Sequence, residues 1–208
     1  MSTPASSSSN AFSGLIGMDM LSVDGLINSR LSSGVPLVGQ VAEHIILAGG
    51  KRLRPVLLLL MAGALGYKGT DHHKLAAVIE FIHTATLLHD DVVDGSELRR
   101  GKSTANMVFG NPATVLVGDF LFTRSFELMV EDGSLKVLKI LSNASSVISE
   151  GEVDQLTAQR QIETSEERYL GIIGAKTAAL FAAAIRISAV VAEHPERDEQ
   201  ALDEFGRN

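Results

Sequence analysis

Cysteine and tryptophan are both missing from this chain of 208 residues. Without cysteine there is no disulfide scaffold and no thiolate metal site. Surplus positive charge is missing as well: 18 Lys and Arg face 25 Asp and Glu, for a net charge of −7. That balance marks neither a nucleic-acid binder nor a membrane-surface protein. The N-terminus has no basic segment leading into an apolar one, so no secretory signal is expected. Residues 1–10 are Ser-rich and poor in Arg, which argues against a mitochondrial transit peptide, and residues 1–17 are expected to be disordered. Residues 56–65 are apolar but too few to cross a bilayer. Residues 172–192 suffice in number but carry Lys176 and Arg186 among many alanines. The expectation is a cytoplasmic protein with no transmembrane segment and one domain over residues 18–208.

Period-two alternation and short repeats are also lacking, whereas helical spacing recurs throughout. Residues 18–31 and 36–47 read as helices separated by Ser32-Ser33-Gly34. Pro55 suits a first helical turn, and residues 56–65 are apolar on most faces, hence buried. Asp71 is expected to cap a long helix reaching about Asp94, followed by a polar loop over residues 95–104. Further helices are predicted over residues 111–130, 135–160 and 165–192, and one more begins at Asp198. Serial helices with short connections indicate an all-α fold, a large helical bundle.

One stretch stands out, residues 80–94. At about 100° per residue, Asp90 and Asp94 sit about 40° apart on one face, with His83 two turns earlier on nearly the same stripe. Like charges at this spacing repel, and carboxylates at a helix C-terminus oppose its dipole. A bound cation removes both objections, and paired carboxylates suit Mg²⁺ that bridges to phosphates. A lone pair of this kind is more often a solvated acidic helix end. Two basic clusters flank it, however. Lys51, Arg52 and Arg54 open a helix, where backbone N–H groups and the dipole favour an anion, although a basic triplet alone is usually a solvated turn. Arg99 and Arg100 follow the carboxylates and could equally serve to neutralise them. Together the pieces describe a polyanion site: carboxylates for a metal-bound diphosphate and cations for a second anion.

The ordered segments GGKRLRP (residues 49–55), HTATLLHDDVVD (83–94), RRGK (99–102), GDFLF (118–122), EGEVDQL (150–156) and GAKTAALF (174–181) closely resemble trans-type polyprenyl diphosphate synthases, over roughly residues 40–208. The octaprenyl and decaprenyl diphosphate synthases are the members most similar in kind. The resemblance implies a helical bundle of the isoprenoid synthase type, a Mg²⁺ cofactor and a homodimer. It implies condensation of isopentenyl diphosphate with an allylic diphosphate. Asp90 and Asp94 would hold the metal, with Asp91, Arg99 and Lys176 completing the catalytic set. Lys51, Arg54, His83 and Arg100 would bind the isopentenyl diphosphate, Arg99, Lys176 and Thr177 the allylic one, and Gln155 would line the chamber. Thr86, Ala85 and Ile82, below Asp90, would govern product length. The first two are small where short-chain members carry aromatics, so a medium- or long-chain product such as a quinone side chain is expected.

Several residues are read as bystanders. Glu150, Glu152 and Asp154 are more readily a solvated acidic face than a metal cluster, Asp119 a structural group, and His72, His73 and His194 surface residues. His89 points about 100° from Asp90, towards packing. The chain departs from the family in one respect: it has no second DDxxD and ends about where the helix bearing it should begin. An incomplete chain with strongly impaired turnover is the expectation. A non-catalytic subunit of a heteromeric synthase, a short-chain farnesyl or geranylgeranyl diphosphate synthase and a class I terpene cyclase are the alternatives. The intact charged set disfavours the first, and a second basic diphosphate site disfavours the cyclase.

Overall fold

The computed structural model describes residues 7–47, 49–159 and 161–208, with side chains from Gly14 onward except at Leu47. Ten α-helices follow one another among these residues: α1 Ser7–Arg30, α2 Pro36–Leu47, α3 Leu53–Ala64, α4 Asp71–Val93, α5 Ala105–Phe109, α6 Asn111–Asp132, α7 Leu135–Ala158, α8 Glu166–Ile173, α9 Ala179–Val191 and α10 Glu196–Arg207. The all-α expectation holds.

α4 is the central element. Its Leu75, Ala76, Ala77, Val78, Ile79, Phe81, Ile82, Ala85 and Leu88 are all buried, so it presents apolar side chains on most faces. α1, α3, α6 and α9 pack around it. Each large aliphatic side chain removed from water there contributes about 2 kcal/mol. α9 is held inside the bundle by α3, α7 and α10. The run Glu166–Val191 is long and apolar enough to cross a membrane by length and composition, but in the fold Ala179, Leu180, Ala182–Ile185 and Ile187–Ala189 are buried against other helices.

Some expectations are corrected. α1 begins at Ser7, not Met18, so it takes in Ser7–Gly17 of the segment expected to be disordered; residues 1–6 lie outside the described residues. Thr70, rather than Asp71, precedes α4; Asp71 sits in the first turn and accepts a hydrogen bond from the Tyr67 hydroxyl at 3.0 Å. The polar loop contains an antiparallel hairpin, β1 Leu98–Arg99 with β2 Lys102–Ser103. Its two-residue turn, Arg100-Gly101, has positive φ at both positions (53° and 77°), the geometry that matches strand twist. Strands of two residues are too short for alternation to show.

The helix expected over residues 165–192 contains a π-helical turn, Gly174–Ala178, between α8 and α9. Such turns widen the helix locally and recur at functional sites. Lys176 and Thr177 lie on it.

Candidate functional site

Three elements converge: the N-terminus of α3, the second half of α4, and the π turn with the start of α9. Arg54, on the first turn of α3, pairs through Nη1 with His83 Nε2 on α4 at 3.1 Å, and its guanidinium covers the Phe181 ring at 4.3 Å. Lys176 Nζ reaches Asp90 Oδ2 at 3.1 Å and Glu152 Oε2 at 2.9 Å. Lys176 and Phe181 are five residues apart on one helical run, about 7 Å of rise. The acidic rim and the basic cleft are therefore neighbours on one face of the bundle.

The basic cleft is about 580 Å³ and is lined by Lys51, Arg52, Arg54, His83 and Arg100, with Glu80 and Phe181 among its other walls. The α3 N-terminus opens into it, so free backbone N–H groups add to the positive field. Arg52 has a left-handed backbone (φ 46°), as does Arg100, an uncommon conformation for non-glycine residues that clusters at binding sites. Arg52 forms an ion pair with Asp24 and stands 4.0 Å from Glu80. Burial pushes the Glu80 carboxyl up, against the pull of Arg52, Arg54 and Arg100. Burial likewise lowers Arg54, with Glu80 opposing. Burial first, and then the charges of Arg54, Arg100 and Arg99, drive His83 down to about 3. The cleft thus holds a neutral imidazole among cations. Arg54 Nε and Glu80 Oε2 are buried there with no hydrogen-bond partner.

The acidic rim is differently built. Asp91 is buried to 1% and accepts a fork from Arg99: Nη2 donates to Oδ1 at 2.7 Å and Nε to both oxygens at 3.0 and 3.1 Å. It is committed to holding the hairpin. Asp90 is 13% exposed and takes Lys176, while Asp94, exposed, accepts from Gln159 Nε2 on the far side at 3.4 Å. Gln155 is half-buried one turn before Gln159, and Thr177 is exposed on the π turn. Below the rim, Ile82 and Ala85 are buried in the core, and half-buried Thr86 turns its hydroxyl to the His83 carbonyl at 2.8 Å.

Glu152 corrects an expectation. Glu150 is exposed as expected and Asp154 keeps a largely solvated side chain in a surface pair with Arg168 at 2.6 Å, but Glu152 joins the rim through Lys176. A Cβ on Gly151 would stand 2.7 Å from Ala175 Cβ, so glycine lets α7 approach the π turn closely enough for that contact. Burial raises the Glu152 carboxyl, helped by Asp90 beside it; Lys176 is raised because its two carboxylate partners outweigh burial. A glycine amid EGEVD was the available signal, since mid-helix glycine costs about 1 kcal/mol and needs a reason. Glu80 and Phe181 fell inside singled-out segments but were given no role there, because only tertiary contact brings them to Arg54.

The rim suits a hard divalent ion. Asp90, Asp94 and Glu152 are the carboxylates there that could supply oxygen donors, and Glu152 Oε1 is buried without a partner. His89 lies outside this set: its Nε2 meets the Val115 carbonyl at 3.2 Å and Asp119 at 3.4 Å. His194 bonds Asp198 and the Leu65 carbonyl at 3.2 and 3.3 Å.

A family model for polyprenyl synthetase matches residues 35–208. The chain belongs to the polyprenyl synthetase family. Octaprenyl diphosphate synthase of Escherichia coli (strain K12) is 50% identical over 193 residues, 93% of this chain and 60% of its own length. A decaprenyl diphosphate synthase from Rhodobacter capsulatus superimposes with a TM-score of 0.92 at 51% identity, covering 95% of this chain and 61% of that one. A polyprenyl synthase from Caulobacter crescentus CB15, solved in complex with calcium and isoprenyl diphosphate, gives 0.93 at 50% identity, covering 99% and 62%. This polyprenyl synthetase chain therefore spans about 60% of the length of the curated relatives it matches.

Proposed function

We propose that the protein is a trans-prenyltransferase that condenses isopentenyl diphosphate with an allylic diphosphate to a medium- or long-chain polyprenyl diphosphate. The observation that carries this reading is the adjacency of a cation-rich cleft to a carboxylate rim, bridged by one helix bearing Lys176 and Phe181. Similarity to octaprenyl and decaprenyl synthases supports the longer product.

Asp90 and Asp94, with Glu152 alongside, would hold Mg²⁺. The ion supplies charge neutralisation for a departing pyrophosphate. Lys176 and Arg99 flank that position and stabilise the same developing charge, Arg99 kept in place by Asp91. Arg54, Arg100, Lys51 and the α3 N-terminus hold the isopentenyl diphosphate, and neutral His83 adds a hydrogen bond rather than a charge. Positioning two substrates side by side supplies a large part of the rate. Thr86 and Ala85 place no aromatic wall in the path of a growing chain. The partner in this reading is a second copy of the chain, and the location is the cytoplasm.

Incubation of a chain that also carries the second DDxxD motif with farnesyl diphosphate, isopentenyl diphosphate and Mg²⁺, followed by chromatography of the products, tests the reading. A ladder of polyprenyl diphosphates longer than geranylgeranyl is expected. A cyclised hydrocarbon, or isopentenyl diphosphate that fails to bind in calorimetry, would overturn it.

A further inference from the structure

On the opposite stretch of α4 from the rim, the first turn carries His72 and His73, which meet Asp19 of α1. His73 Nε2 lies 2.8 Å from Asp19 Oδ1, and His72 Nε2 lies 3.9 Å from the same oxygen. One donor atom from each of the three residues falls within 4.8 Å of the others. His72, expected at the surface, is instead buried, its side chain only 10% exposed. Its Nδ1 has no hydrogen-bond partner, and 3.9 Å puts its Nε2 beyond hydrogen-bond reach. Nε2, the atom turned towards Asp19, is therefore open to a ligand other than the carboxylate.

We propose that Asp19, His72 and His73 form a second metal site, selective for a borderline divalent cation of the Zn²⁺ class and distinct from the carboxylate rim. Two imidazoles and one carboxylate make the donor set of open three-ligand Zn²⁺ sites. Ligands about 2.0–2.1 Å from a tetrahedral ion stand roughly 3.3 Å apart, a value bracketed by the 2.8 and 3.9 Å separations here. The two rings lie against each other, centroids 4.1 Å apart and tilted by 34°. Neutral imidazole is the form that ligates. Tyr67 closes one side, edge-on to His72 at 5.2 Å, and its hydroxyl bond to Asp71 holds it there. Nitrogen donors disfavour Mg²⁺, so the site and the rim would sort two metals by hardness. The ion would pin α1 to the start of α4.

The metal-free full chain is titrated with Co²⁺ while visible absorption is recorded, and with Zn²⁺ while Tm is followed. The expected result is one equivalent of Co²⁺ giving ligand-field bands that Zn²⁺ displaces and about 1 mM Mg²⁺ does not. Zn²⁺ raises Tm by about 5 °C. Asp19→Asn and His73→Gln, at partly exposed positions, weaken both signals at least ~10-fold, whereas Asp90→Asn leaves them intact. His72→Gln behaves alike if it folds, as circular dichroism shows. Signals that survive Asp19→Asn and His73→Gln, that vanish in Asp90→Asn, or that Mg²⁺ abolishes would overturn the proposal, as would no Co²⁺ bands at all.

Discussion

The two ends of the site handle charge in opposite ways. At the acidic rim most carboxylates already meet a cation: Asp90 and Glu152 share Lys176, and buried Asp91 holds Arg99 in a fork, while exposed Asp94 meets the Gln159 amide. In the basic cleft Arg54 and Arg100 face a single buried carboxyl, Glu80, which burial pushes towards its neutral form, and His83 is neutral. The rim is partly neutralised without ligand by Lys176 and Arg99, whereas the cleft keeps an excess of cations. A cation arriving at the rim must compete with Lys176, so metal binding there gains when an anion arrives to take that lysine. An anion entering the cleft displaces nothing and fills an existing deficit. On the proposed reading, the cleft would bind a diphosphate on its own, while the rim would bind metal and diphosphate together.

Four substitutions or conditions break or sharpen this contrast. Asp90→Ala removes a rim oxygen proposed to serve only the ionising diphosphate; turnover should fall about 10³-fold while isopentenyl diphosphate affinity, by calorimetry, changes less than about twofold. Equal loss in both would erase the distinction between the two ends. Asp91→Ala strands Arg99 and empties a buried position, so urea unfolding should show a loss of about 3 kcal/mol. A near-neutral result would mean that the fork does not hold the hairpin. Arg54→Gln should weaken isopentenyl diphosphate about 50-fold, with Mg²⁺-dependent binding of an allylic diphosphate analogue at the rim unaltered.

The smallest effect concerns pH. Unfolded His83 takes up a proton below about pH 6.5, whereas the folded residue does so only near 3. Between these values the unfolded state binds more protons, so stability falls as pH falls. Taken to about pH 5, the wild type should lose about 2 kcal/mol more than His83→Gln relative to pH 7.5, measured by urea titration. Equal losses in the two proteins would show that His83 titrates normally and that the cleft is wetter than its geometry suggests.

Much of this was legible beforehand. Ordered motifs around residues 49–55, 83–94 and 99–102 carry the chemistry, and helical periodicity carries the fold, because both depend on local spacing. Arg100-Gly101 as a hairpin turn was readable only as a loop, since two-residue strands leave no periodic trace. The rim position of Glu152 was hidden by its acidic neighbours: three carboxylates in five residues look alike until α7 docks on the π turn. His72 was misjudged for a related reason, as its burial depends on α1 lying across the start of α4.

By itself, then, the amino-acid order determined the helices, the family and the charged side chains available for diphosphate chemistry, all properties of neighbours along the chain. Only tertiary packing decided which charges are paired and which wait for a ligand. Burial, close approach at Gly151 and the widened turn at Lys176 arise between helices far apart in sequence, and desolvation and Coulomb energies depend on those separations in space.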